Sequence, residues 1–129
     1  MNGYLLDTSV VLLAASRSVA LSADVRAAMV RGPNHISVIA YWEVVLKSMK
    51  GTLKVGDPRT WWLDTLVRLA ATPLALRPEH VSEVCGLQPI HKDPFDRMLI
   101  AQAATEDLTL LTTDSQIVRY ASPQFRVLS

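Results

Sequence analysis

Cysteine is almost absent from this sequence. A single cysteine among 129 residues, Cys85, excludes an intramolecular disulfide and a zinc site built from several cysteines. It lies in the apolar-periodic segment HVSEVCGL, which predicts a small buried side chain at this position. Because structural disulfides belong to oxidising compartments, the near absence of cysteine favours a cytoplasmic location.

Long hydrophobic runs and an excess of one charge are also missing. No apolar stretch reaches the roughly 18 to 20 residues that span a membrane. The apolar start MNGYLLDTSVVLLAAS contains Asp7 and no basic segment, so we expect neither a signal peptide nor a membrane partner. The 13 basic and 12 acidic side chains nearly cancel, and the net charge of +1 neither indicates nor excludes a nucleic-acid partner.

What the sequence does contain is an alternation of strand-like and helical segments. Strands are predicted at GYLLD, TPLALRP, LTLLTTD and FRVLS, and NHISV is either a strand or the lead-in to the next helix. Helices are predicted at LSADVRAAMVRG, IAYWEVVLKSMKG, DPRTWWLDTLVRLAAT, PEHVSEVCGL, HKDPFDRMLIAQAATED and DSQIVRYAS, with Ser22, Asp57 and Asp93 as N-caps. This alternation predicts an α/β fold with a parallel sheet, and the lack of linkers predicts one domain over residues 1–129.

Three acidic residues stand alone in apolar surroundings. The only charged side chain is Asp7 between residues 2 and 16, Glu43 between residues 36 and 46, and Asp114 between residues 108 and 118. Ionised carboxylates are rarely buried without a partner, because their desolvation costs several kcal/mol. A divalent cation shared among the three would offset that cost.

The predicted topology brings these acids together. Asp7 and Asp114 each follow a predicted strand, and the carboxyl ends of parallel strands open on one edge of a sheet, where ligands bind. Asp96 lies in the first turn of its helix and shares a face with Leu99 and Ile100, so its carboxylate points towards the same region. The sequence therefore predicts one acidic cluster.

Each of these residues also has a purely structural interpretation. Asp7 and Asp114 could cap the helices that follow them, and Glu43 could pair with Lys47 four residues later. Asp93 is interpreted as a helix cap and kept apart from Asp96. A lone histidine before a helix, such as His91, is more often structural than a proton carrier.

The motifs DTS, the glutamate of YWEVVLKSMKG, HKDPFDRMLIAQA and LLTTD, in this order, resemble those of the PIN domain. More narrowly, the chain resembles the VapC-type toxins of prokaryotic toxin–antitoxin pairs, from Tyr4 to Leu128. The resemblance implies a three-layer α/β/α sandwich with a central, mainly parallel sheet. It also implies an endoribonuclease that uses one or two Mg²⁺ or Mn²⁺ ions, a cognate antitoxin as partner, and a homodimer.

By the same motifs, the resemblance places the catalytic and metal-binding residues at Asp7, Glu43, Asp96 and Asp114. Supporting hydroxyl groups fall on Thr8, Ser9 and Thr113. Two departures are visible: many relatives have asparagine where this chain has Ser9, and many carry a second acid near Asp114. Oxygen ligands select Mg²⁺ or Mn²⁺, and the expected reaction is hydrolysis of an RNA phosphodiester by metal-activated water.

Basic and aromatic residues indicate further contacts. Lys47 and Arg97 lie closest in sequence to the acids and are the candidates for contact with RNA phosphates. Trp61 and Trp62 are adjacent on a predicted helix, so at least one is expected to lie outside the core. An exposed tryptophan there would suit a contact with an antitoxin or in a dimer.

Three alternatives compete with a nuclease. A receiver-like phosphoacceptor domain needs an acidic pair after the first strand, and a haloacid-dehalogenase-type phosphatase needs an aspartate where Ser9 stands. A catalytically inactive PIN-like module that binds RNA or protein would keep the fold and lose the metal.

Overall fold

Five short parallel strands form the sheet in the described part of the chain. The computed structural model describes residues 2–89 and 91–129. The strands are β1 (Tyr4–Leu6), β2 (Asn34–Ser37), β3 (Ala71–Leu74), β4 (Thr109–Leu111) and β5 (Arg126–Leu128). They lie in the order β3-β2-β1-β4-β5, and every neighbouring pair is parallel. The predicted parallel sheet is confirmed, and the segment NHISV is indeed a strand.

Helices connect each strand to the next. They are α1 (Thr8–Ser16), α2 (Ala23–Arg31), α3 (Val38–Met49), α4 (Pro58–Arg68), α5 (Pro78–Val84), α6 (Pro94–Glu106) and α7 (Ser115–Val118), with a 3-10 turn at Ser18–Ala20. Helix α1 is absent from the predicted helices, and the sequence indicated it only through the possible cap at Asp7. Its sequence TSVVLLAAS is apolar on nearly all sides and has no helical periodicity.

The predicted N-caps form as expected. Ser22 accepts a hydrogen bond from the Val25 main-chain N–H at 3.1 Å, and Asp57 accepts one from Arg59 at 2.9 Å. Helix α3 ends at Met49, just before Gly51, which has a positive φ of 78° that favours glycine. These local signals fix where the helices begin and end, and therefore where the strand-to-helix turns lie.

The sheet is covered on both faces, which confirms the three-layer α/β/α architecture. Because side chains alternate along a strand, Tyr4 and Leu6 pack into one cluster and Leu5 into the other. The first cluster includes Val10, Val11, Val25, Ile36 and Leu111, and the second includes Ile39, Leu99, Ile100, Leu110 and Ile117. Full burial of one such side chain stabilises the fold by about 1.5–3 kcal/mol.

Two sequence predictions about packing are wrong. Cys85 is exposed, because it lies at the carboxyl end of the short helix α5, beyond the turn that packs on the core. Trp61 and Trp62 both pack against the core cluster, and Trp62 stacks on Tyr41 with ring centroids 4.6 Å apart. Helix α4 is covered on two sides, so adjacent tryptophans both find partners. The exposed tryptophan is Trp42, at 55% exposure.

No helix within residues 2–89 and 91–129 is long and apolar enough to cross a lipid bilayer.

Candidate active site

All four predicted acids line one cleft at the carboxyl edge of the sheet. The cleft has a volume of about 520 Å³. It is lined by Asp7, Thr8, Ser9, Leu12, Glu43, Lys47, Asp93, Asp96, Thr113, Asp114 and Ser115. Among the residues predicted for the site, Arg97 is missing from this lining. A larger cavity of about 710 Å³ between α1 and α4 shares Leu12 with the cleft and holds a different set of side chains.

The topology explains why distant acids meet. Asp7 follows β1 and Asp114 follows β4, and these two strands are parallel neighbours in the middle of the sheet. The Asp7 main-chain N–H donates to Leu111 O at 3.0 Å, which extends the pairing to the strand ends. Each aspartate also caps the helix that follows it, so its structural and site positions coincide.

Asp7 is the most firmly held of the acids. Its Oδ1 accepts hydrogen bonds from the Val10 N–H at 2.9 Å and the Ser9 hydroxyl at 2.8 Å, and its Oδ2 accepts one from the Thr112 hydroxyl. Burial raises the pKa of Asp7, and these hydrogen bonds, led by that of Thr112, act in the opposite direction. The carboxylate is therefore fixed in orientation on the floor of the cleft.

Thr112 was not among the predicted site residues. Its neighbour Thr113 was predicted instead, and its hydroxyl lies 2.8 Å from that of Ser9. Because side chains alternate along an extended segment, only one of two adjacent threonines can reach Asp7. Thr112 is fully buried directly after β4, and its position next to that apolar strand was the only sign of this in the sequence.

Glu43 enters the cleft from helix α3. It is buried, and its Oε1 accepts a hydrogen bond from the Thr8 hydroxyl at 2.7 Å. Its Oε2 lies 2.9 Å from Lys47 Nζ, so the i,i+4 pair weighed in the sequence does form, inside the cleft. The hydrogen bond to Glu43 raises the pKa of Lys47, which keeps this lysine cationic.

Asp96 has fewer polar contacts than the other three acids. Among residues 2–89 and 91–129, its carboxylate has one, with His91 Nε2, which lies 2.9 Å from Oδ2. Burial, followed by the negative charge of Asp93, raises the pKa of Asp96 to about 7. Acids with a strongly raised pKa are common in functional sites.

His91, for which the sequence favoured a structural role over that of a proton carrier, contacts two of the acids. Its Nε2 is 2.9 Å from Asp96 Oδ2 and 3.2 Å from Asp114 Oδ2. One ligand atom from each of these three residues lies within 4.8 Å of the others. Sequence spacing did not reveal this contact, because it depends on the path of the loop before α6.

Arg97 is engaged outside the cleft. Its Nη1 donates to Gln88 O at 3.0 Å, to His91 O at 3.2 Å and to Tyr120 Oη at 3.4 Å. A residue that follows Asp96 directly on a helix points about 100° away from it, since 3.6 residues make one turn. The guanidinium group therefore fastens the loop that precedes α6.

The donor set fits a hard divalent cation. Carboxylate oxygens from several chain segments face one cleft, which is the ligand type that Mg²⁺ and Mn²⁺ prefer. The carboxylate of Asp96, with a single polar contact among the described residues and a raised pKa, is the group that a cation would neutralise. The described residues therefore suit the metal that the sequence motifs implied.

The fold and the cleft define an α/β/α domain with an acidic site at the carboxyl edge of its parallel sheet. The family model of the PIN domain matches residues 4–123. The chain belongs to the PIN domain family.

Solved structures of toxin–antitoxin proteins share this fold. DNA-bound VapBC from Salmonella typhimurium matches with a TM-score of 0.72 and 16% identity, over 99% of this chain and 98% of that chain. VapBC2 from Rickettsia felis, bound to a DNA fragment from its promoter, matches with a TM-score of 0.70 and 14% identity, over 97% and 96%. VapBC-5 from Mycobacterium tuberculosis matches with a TM-score of 0.61 and 20% identity, over 96% and 95%. No curated protein sequence matches the chain.

Proposed function

We propose that the chain is an endoribonuclease that depends on Mg²⁺ or Mn²⁺. The observation that carries this proposal is the cleft, in which Asp7, Glu43, Asp96 and Asp114 face one another with a single lysine among them. Such an excess of carboxylates costs stability unless a cation neutralises it. Membership of the PIN family supports the same reaction class.

The residues divide the work by how they are held. Asp7 is oriented by three donors, so it supplies a rigid oxygen ligand. Asp96 has one oxygen, Oδ1, without a polar contact among the described residues and so open to a cation, while Glu43 and Asp114 complete the site for one ion or two. When bound, a divalent cation lowers the pKa of water and neutralises the charge that develops on a phosphodiester in the transition state.

Contact with RNA phosphate falls to Lys47 in this proposal. Its ammonium group lines the cleft and is half exposed, at 49% of the side chain. A flexible lysine can exchange Glu43 for a substrate phosphate when the carboxylate binds a cation. The sequence prediction that Arg97 also contacts phosphate loses support, since Arg97 already binds main-chain carbonyls.

An RNA cleavage assay with Mn²⁺ tests the reaction. The wild type is compared with Asp7→Asn and Asp96→Asn, which remove one negative charge each and keep the shape of the side chain. Asp57→Asn is the matched control, because Asp57 also caps a helix and lies outside the acidic cleft. We expect both cleft variants to lose cleavage and the control to keep it. Equal cleavage in all four proteins would exclude this mechanism, and no cleavage by the wild type would favour the inactive binding module.

We further propose that the protein is the toxin of a toxin–antitoxin pair and has a cognate antitoxin and a homodimeric form. The VapBC names of several proteins with the same fold support this role. A cytoplasmic location remains the expectation from the sequence.

Expression in a bacterial host tests the toxin role. We expect induction of the wild type to arrest growth and induction of Asp96→Asn to leave growth normal at equal protein level. Arrest by both proteins would separate toxicity from the cleft. Light scattering of the purified protein measures whether it is a dimer.

A further inference from the structure

The imidazole of His91 is positioned for one of two roles. Its Nε2 forms a hydrogen bond with Asp114 Oδ2 at 3.2 Å and lies 2.9 Å from Asp96 Oδ2. Atoms at such spacings can surround a metal ion as fellow ligands. They can equally be a donor and its acceptors. The two roles require opposite tautomers, because a nitrogen that binds a metal cannot carry a proton.

The other ring nitrogen decides between them. The main-chain N–H of Asp93 donates to His91 Nδ1 at 3.4 Å, so Nδ1 is an acceptor and carries no proton. A neutral imidazole then has its proton on Nε2, which faces the two carboxylates. We propose that His91 is a positioning residue that holds Asp114 through Nε2–H and is not itself a metal ligand. This inference rests on the proposed metal-dependent function.

The main chain of His91 is clamped, as a positioning role requires. Its N–H donates to Tyr120 Oη at 2.6 Å. Its carbonyl accepts from Arg97 Nη1 at 3.2 Å, and the same nitrogen reaches Tyr120 Oη at 3.4 Å. Arg97 and Tyr120 thus fix the loop before α6, and the loop holds the imidazole beside Asp96 and Asp114.

Asp114 depends on this contact for its orientation. Its Oδ1 accepts a hydrogen bond from the Gln116 N–H at 2.8 Å, within its own helix turn. The bond from His91 to Oδ2 links it to a different segment of the chain. Without that bond, the carboxylate regains freedom that metal binding must remove. Loss of such an outer partner typically lowers metal affinity about tenfold or more.

Titration calorimetry with Mn²⁺ on the full chain tests the inference. We expect His91→Ala to weaken Mn²⁺ binding about tenfold. His91→Gln should recover most of the affinity, because its amide nitrogen donates from nearly the same place as Nε2. Lys92→Ala is the control from the same loop and should bind as the wild type does. Wild-type affinity in His91→Ala would overturn the proposal.

Electron spin-echo spectroscopy of bound Mn²⁺ separates the two roles of His91. Protein labelled with ¹⁵N-histidine should show no coupling between the metal and a histidine nitrogen. A coupling that disappears in His91→Ala would identify a direct ligand and refute the positioning role. If His91→Ala does not fold, Tyr120→Phe loosens the clamp and keeps the imidazole. It should weaken Mn²⁺ binding several-fold, and unchanged binding would count against the proposal.

Asp96→Asn distinguishes a failure of this inference from a failure of the proposed function. If Asp96→Asn loses Mn²⁺ binding while His91→Ala keeps it, the metal site stands and the role of His91 is wrong. If Asp96→Asn also binds like the wild type, the metal site itself is wrong.

Discussion

Helix α6 has a histidine–carboxylate contact near each end. At its carboxyl end, His80 Nε2 lies 2.7 Å from Glu106 Oε2, and His80 Nδ1 accepts a hydrogen bond from the Arg77 N–H at 3.0 Å. At its amino end, His91 Nε2 reaches Asp96 and Asp114, and its Nδ1 also accepts from a main-chain N–H. In both histidines, Nδ1 therefore accepts a main-chain hydrogen bond and Nε2 faces carboxylate oxygen.

The two contacts differ in charge balance. His80 is fully buried and faces one carboxylate, with Arg77 Nη1 3.9 Å from the same oxygen. His91 faces two carboxylates, and burial, followed by the negative charge of further acids, raises the pKa of Asp96. The same residue types thus stabilise the fold where charges match, and they form a candidate site where acids are in excess.

The largest expected difference is between neutralising the acid at the amino end of α6 and neutralising the acid at its carboxyl end. Asp96→Asn should weaken Mn²⁺ binding about a hundredfold, or about 2.7 kcal/mol, because a neutral amide replaces an anionic oxygen ligand. Glu106→Gln should leave Mn²⁺ binding unchanged, since Glu106 lies at the opposite end of the helix. Calorimetric titration measures both. Similar losses in the two variants would mean that the ends of α6 do not differ as proposed.

The complementary experiment removes each histidine. His80→Ala should lower the free energy of unfolding by about 3 kcal/mol, because it leaves a cavity and unpaired polar groups in a buried place. His91→Ala should cost about 1 kcal/mol or less, since His91 is partly exposed and its loss leaves polar groups within reach of water. Denaturant unfolding of metal-free protein measures both values. A larger cost for His91 would contradict the division into structural and site contacts.

The sequence was most informative about the acids. Asp7, Glu43 and Asp114 could be predicted because a lone charge in an apolar segment is costly wherever the segment packs. Strand order did not need to be known, since all carboxyl ends of a parallel sheet share one edge.

His91 and Thr112 could not be predicted in the same way. Each touches an acid that is distant in sequence, through a loop path or a strand end that only tertiary packing sets. Arg97 shows the reverse error. It was predicted to lie at the site because it follows Asp96 in sequence, but adjacent residues of a helix point in different directions, and Arg97 binds the loop before α6 instead. The exposed Cys85 shows a second error, because the short helix α5 extends past the core at this residue.

A smaller effect is expected in the pH dependence of stability, which should involve the acid at the amino end of α6. The pKa of Asp96 is raised from 3.8 to about 7 in the fold, so the folded state prefers the protonated form. The stability that protonated Asp96 contributes is fully present below its ordinary pKa. It is lost as the pH rises through about 7, because the folded state then has to carry a buried charge. We therefore expect metal-free wild type to lose stability relative to Asp96→Asn between these values.

Denaturant unfolding of both proteins in a chelator, from acidic to mildly alkaline pH, measures this difference. Mn²⁺ should reverse the trend, because the ion binds the carboxylate form and its affinity falls as Asp96 becomes protonated. Glu106→Gln is the control at the other end of the helix. A stability difference between wild type and Asp96→Asn that does not change with pH would refute the raised pKa.

The smallest effect is expected at Asp93, the cleft acid that serves as a cap. Its Oδ1 accepts hydrogen bonds from the Phe95 N–H at 2.8 Å and the Asp96 N–H at 3.2 Å, which confirms its predicted capping role. Asparagine caps helices about as well as aspartate, so Asp93→Asn should keep the fold and most of the RNA cleavage. It should also lower the pKa of Asp96, because the charge of Asp93 contributes to raising it. Cleavage below neutral pH should therefore improve slightly, and its abolition in a folded Asp93→Asn protein would make Asp93 a member of the active site.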